Sequence, residues 1–120
     1  MNFFSSISHA IRGMLLAFKT ERSFRIQIAC AIIALIASCI FPISSTERYF
    51  ILLAVSLVLV LELVNSMVER LVDLVKPRLH EYARDIKDLM AAAVFMAALF
   101  AFVLGILVFW PYILPFFVSI

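Results

Sequence analysis

Glycine is almost missing from this chain: Gly13 and Gly105 are the two it has. A Walker loop or a kinase glycine-rich loop needs several glycines close together, so neither can be built. Cysteine is equally sparse. Cys30 and Cys39 share one apolar run, and on a helix they stand roughly 13 Å apart along the axis at ~1.5 Å per residue, too far to pair. With no CxxC and no Cys/His cluster, they read as small apolar residues and not as metal or redox groups. Charge is scarce as well: 15% of residues are charged and the net charge is +2, which excludes a nucleic-acid partner read from overall balance.

Apolar residues are what the chain has in excess. They make up 66% of its 120 positions, against ~45–50% in a soluble domain, and the mean hydropathy is +1.15. The composition therefore predicts an all-α integral membrane protein. No repeat, low-complexity tract or linker divides it, so residues 1–120 read as one domain.

Phe3, Phe4, Ile7, Ile11, Met14, Leu15 and Phe18 recur at helical spacing, with Ser5, Ser8, His9, Arg12 and Lys19 between them. That pattern suits an amphipathic helix lying in the membrane surface. A signal peptide would instead carry a compact apolar core and a small-residue cleavage site. After the charged run Thr20 to Arg25, a first span is expected over Ile26 to Phe41, stopped by Pro42. Ser44 and Glu47 have capping-box spacing for a second helix, from about Arg48 to about Val75, ended by Lys76-Pro77. The polar segment Arg78 to Asp88 follows, and a third span is expected from Leu89 to about Phe109, with Trp110, Pro111, Tyr112 and Pro115 marking its interfacial end. Lys and Arg cluster before the first span and around the loop between the second and third. The positive-inside rule then puts the N-terminus in the cytoplasm and the C-terminus outside.

The second span holds the chemistry. Glu62, Asn65, Ser66, Glu69 and Asp73 fall on one helical stripe, with apolar residues filling the rest of the surface. A span entering the hydrocarbon near Tyr49 leaves it near Val68 or Glu69, so Glu62 lies roughly 10 Å inside that border. An ionisable side chain there costs at least ~2.5–3.5 kcal/mol to insert, which makes it a functional candidate. Glu69 and Asp73 sit at the border and beyond. Glu21 and the pair Lys87-Asp88 reach the same level on the other two spans. Carboxylates with a lysine at one depth suit magnesium and a polyphosphate, and a deeper carboxylate suits a base for a lipid hydroxyl. For Glu21, Asp73, Asp85 and Asp88 the competing reading is a solvated helix end, for Asn65 a helix-to-helix hydrogen bond, and for His9 and His80 an ordinary surface position.

These residues resemble a known signature. Glu62-Leu-Val-Asn65-Ser66-Met-Val-Glu69, then Val72-Asp73, His80-Glu81 and Ile86-Lys87-Asp88, are similar to the signature of the prokaryotic diacylglycerol kinase family, and Glu21-Arg-Ser-Phe24-Arg25 to its upstream ExxFR element. The resemblance implies a homotrimer whose sites are shared between subunits and which phosphorylates a lipid alcohol with magnesium ATP in the bacterial inner membrane. It implies Glu62 as the general base that meets the lipid substrate, Glu21 and Glu69 as ligands of the metal and nucleotide, and Lys87, Asp88 and His80 as nucleotide contacts, with Asn65 in support. His9 stands where an aromatic is usual, and Leu89-Met90 and Ile26-Gln27 also depart from the pattern. Diacylglycerol is the substrate expected first. Undecaprenol is the alternative, since Glu-x-x-Phe-Arg-Ile resembles that branch while His80-Glu81 resembles the diacylglycerol branch. The reading from another class is a non-enzymatic helical membrane oligomer that uses Glu62 as an intramembrane site.

Overall fold

The computed structural model describes residues 2–76, 78 and 81–119. Four helices account for nearly all of them: α1 (Phe3–Thr20), α2 (Arg22–Ile40), α3 (Ser45–Val75) and α4 (Ala83–Val118). No strand occurs among the described residues. Helices α2, α3 and α4 are each long and apolar enough to cross a membrane, as the composition predicts. Large apolar side chains such as Ile33, Leu53, Phe95 and Phe102 stay exposed along them. In lipid such surfaces need no protein cover, because a helix satisfies its own backbone and the acyl chains are as apolar as the side chains.

The amphipathic segment forms α1. Asn2 caps it by accepting a hydrogen bond from the Ser5 backbone N–H at 2.8 Å. Its apolar residues Phe3, Phe4, Ile11 and Leu15 remain exposed and Ala17 is its buried residue, so the helix meets the bundle near its C-terminal end. Glu21 then turns the chain through a single extended residue with φ −114° and ψ 110°. Arg25 fixes this elbow, its Nη1 donating to the carbonyls of Phe18 at 2.8 Å and Lys19 at 3.2 Å. Those carbonyls have no partner within α1, and the cation also suits the negative end of a helix.

Helix α3 is the central post, packing against both α2 and α4. The expected capping box is present: Ser44 Oγ accepts from the Glu47 N–H at 3.1 Å, and Glu47 Oε1 accepts from the Ser44 N–H at 3.0 Å. Near this end Ile43, Ile51 and Val108 form a small core, flanked by the Phe41 and Phe109 rings. Tyr112 donates to Glu47 at 3.3 Å, and Arg48 Nε donates to the Ser38 carbonyl at 3.1 Å. Those two bonds tie α3 to α4 and to the end of α2.

The helices run further than their apolar cores. Helix α2 begins at Arg22 and α4 at Ala83, so the charged residues read as loop ends are first turns of helix. The expected end near Phe109 is corrected: α4 continues to Val118 through Pro111 and Pro115. Each proline removes one backbone donor, but two prolines four residues apart put both defects on one face, leaving the other rows of hydrogen bonds intact. Helix α3 ends at Val75; the stop expected at Pro77 lies outside the described residues.

Candidate functional site

The polar stripe of α3 resolves into two rows, each with a spacing of four. Glu62, Ser66 and Arg70 form one row; Asn65, Glu69 and Asp73 form the other. Residues four apart stack along a helix face, so each row addresses a different neighbour.

The first row faces the α1–α2 elbow. Glu62 is buried, at 6% exposure. The side-chain amide of Gln27 on α2 faces it, and the carboxylates of Glu21 and Glu69 are near enough for their charge to act on it. Buried Ser66 donates to Glu21 Oε1 at 2.9 Å. Arg70 Nη2 donates to the Thr20 hydroxyl at 2.8 Å and lies 3.5 Å from Glu21 Oε1. Thr20 in turn donates to the Leu16 carbonyl one turn back at 2.7 Å, which fixes the hydroxyl at the end of α1.

The second row faces α4. Lys87 Nζ donates to Asp73 Oδ1 at 2.6 Å, a charge-assisted bond between the two helices. Lys87 also lies within electrostatic reach of Glu69, and Asn65 Nδ2 donates weakly to Glu69 Oε1 at 3.5 Å. Asp88 is exposed and makes no side-chain hydrogen bond or ion pair among the described residues. His80 lies outside the described residues.

The fold thus gathers Glu21, Glu62, Asn65, Glu69 and Lys87 at one end of the bundle, with exposed Asp88 next to Lys87 on α4. Among the described residues no three His, Cys, Asp or Glu side chains converge closely enough to enclose a metal ion by themselves. The donor chemistry nonetheless fits a hard cation. Glu21 and Glu69 offer carboxylate oxygens, and Asn65 Oδ1 is buried with no hydrogen-bond partner. An orphaned buried carbonyl oxygen is costly, and a hard divalent cation satisfies such an atom.

Three contributors escaped the sequence reading. Gln27 was noted there as a departure, although an amide inside an apolar run is a signal in its own right. Arg70 falls among the Lys and Arg residues clustered around the loop between the second and third spans; its spacing of four from Ser66 places it on the row of Glu62. Thr20 carries no signal separable from helix-end chemistry. Gln27 also lines a groove of about 600 Å³ bounded by α2, α3 and α4, whose other walls include Ala31, Val58, Ala98, Ala101 and Phe102. The groove is apolar along the membrane-crossing helices and has the amide that faces Glu62 among its lining residues.

Comparison with known proteins places the chain among relatives. Residues 8–109 match the model of a family described as prokaryotic diacylglycerol kinase. The undecaprenol kinase of Bacillus subtilis (strain 168) is 36% identical over 91% of this chain and 89% of its own length. The diacylglycerol kinase of Haemophilus influenzae is 37% identical over 78% of this chain and 79% of its own. The diacylglycerol kinase of Escherichia coli (strain K12) is 27% identical over 84% and 83%.

Proposed function

This chain belongs to the prokaryotic diacylglycerol kinase family, a family of multi-pass inner-membrane lipid kinases, and from that premise we propose that it transfers the γ-phosphoryl group of magnesium ATP to diacylglycerol, giving phosphatidic acid. What carries the reading is buried Glu62, close to the Gln27 amide that lines the apolar groove and within electrostatic reach of the Glu21 and Glu69 carboxylates. A lipid alcohol is the substrate that needs an apolar track and a carboxylate together.

In this mechanism the lipid hydroxyl meets Glu62, which takes its proton as the hydroxyl oxygen bonds to the γ-phosphorus. The bond from that phosphorus to the bridging oxygen breaks, and ADP leaves. Glu21, Glu69 and the free Asn65 Oδ1 would hold the magnesium, which when bound offsets phosphate charge. Ser66 orients Glu21 through its 2.9 Å hydrogen bond. Lys87, held by Asp73 within reach of Glu69, brings a cation to the nucleotide. Asp88 and His80 complete the nucleotide contacts on the family resemblance, which likewise supports a homotrimer with shared sites and a cytoplasmic N-terminus with the C-terminus outside.

A second reading keeps the chemistry and changes the lipid. The 36% identity to an undecaprenol kinase over nearly the whole chain favours a polyprenol hydroxyl at the same carboxylate. The test is to offer diacylglycerol and undecaprenol side by side to purified protein in mixed micelles with magnesium ATP. Turnover on diacylglycerol well above undecaprenol is expected, the reverse order assigns the second reading, and no phosphorylation of either leaves the non-enzymatic oligomer.

A further inference from the structure

Arg70 is the one residue of the Glu62 row that the catalytic reading does not use, yet it has the most direct ionic contact with a proposed metal ligand. Its Nη2 lies 3.5 Å from Glu21 Oε1, the same oxygen that accepts from Ser66. At that distance the pair is a loose ion pair and not a tight hydrogen bond. The side chains are 44% and 28% exposed, so water and salt weaken it further. The firm bond is the other one, from Nη2 to Thr20 at 2.8 Å. The guanidinium is therefore anchored at the elbow and only leans on Glu21. Its Nε and Nη1 hydrogens make no hydrogen bond among the described residues, and a guanidinium with free donors matches phosphate oxygens well.

We propose that Arg70 is an exchangeable cation of the site, competing with the divalent metal for Glu21 and donating to the nucleotide phosphates once the metal has taken that carboxylate. The inference rests on the kinase reading and gives it a step. A divalent ion with hard oxygen ligands outcompetes a half-solvated guanidinium at a carboxylate. The released guanidinium pivots on Thr20 and carries its positive charge to the triphosphate that arrives with the metal. Arg70 would thus suppress binding of the bare metal and favour binding of the metal with its nucleotide.

Those two effects have opposite signs, which separates the proposal from a structural role. The experiment uses the full chain in detergent micelles, with Mn²⁺ read by electron paramagnetic resonance as the metal probe. Magnesium ATP affinity is measured in parallel on wild type, Arg70→Gln and Arg70→Lys. Arg70→Gln should bind Mn²⁺ several-fold more tightly and magnesium ATP ~10-fold or more weakly, the loss expected for a hydrogen bond to a charged group. Arg70→Lys should keep wild-type Mn²⁺ affinity and regain part of the nucleotide affinity. Parallel weakening of both ligands in Arg70→Gln, or a misfolded Arg70→Gln with Arg70→Lys weakened in both, makes Arg70 structural and overturns the proposal. Unchanged binding of both ligands in Arg70→Gln also overturns it. A wild type that binds no magnesium ATP overturns the kinase reading first, a result none of the variants can mimic.

Discussion

Replacing Glu62 with Gln tests the site at its deepest point. The side chain is buried, shares its surroundings with the carboxylates of Glu21 and Glu69, and is faced by the Gln27 amide. Gln has nearly the same shape, and its carbonyl oxygen can still meet that amide, so packing should survive. Charge is what changes. Glu69 lies two turns along α3, about 10 Å at ~1.5 Å per residue, where two like charges at an effective dielectric of ~20 repel by about 1–2 kcal/mol. Neutralising Glu62 removes that repulsion and a desolvation cost of ~2.5–3.5 kcal/mol or more. Glu62→Gln should therefore be at least as stable in detergent as wild type. Loss of a general base costs ~10²–10⁴-fold in rate, while the Glu21, Asn65 and Glu69 oxygens stay in place to bind nucleotide. Thermal unfolding, magnesium ATP affinity and lipid phosphorylation are measured on one preparation. A folded, nucleotide-binding variant that phosphorylates lipid within a few-fold of wild type refutes the base role. A variant markedly less stable than wild type refutes the electrostatic argument.

Other substitutions reach the rest of the site. Glu21→Gln and Glu69→Gln should each abolish activity together with tight magnesium dependence, and near-normal turnover with normal metal titration in both would remove them as ligands. Ser66→Ala deletes the 2.9 Å donor to Glu21; the loss should be about 1 kcal/mol of stability, the lower end for a charged acceptor that is partly solvated, with a several-fold higher magnesium requirement, and an unchanged metal titration contradicts its orienting role. A cysteine at Ser119, introduced without Cys30 and Cys39, should react with an impermeant thiol reagent from outside intact cells, whereas labelling from the cytoplasmic side alone reverses the topology.

The chain's own period and composition determined the three spans, the surface helix, the Ser44–Glu47 cap and the carboxylate stripe of α3. Each depends on spacing within one segment, and helical geometry fixes where residues three, four and seven apart must fall. What a helix's period cannot say is which neighbour faces each row. Only packing decided that the 62–66–70 row meets the α1–α2 elbow and the 65–69–73 row meets α4, so Ser66 holds Glu21 and Asp73 holds Lys87. The same limit hid Gln27 and Arg70, whose partners lie many residues away in the chain. Helix ends were misjudged for a related reason. Lipid rewards apolar length, so hydropathy marks the membrane-crossing part of a helix, but backbone hydrogen bonding carries α4 on through Arg84 to Asp88 at one end and through Pro111 and Pro115 at the other.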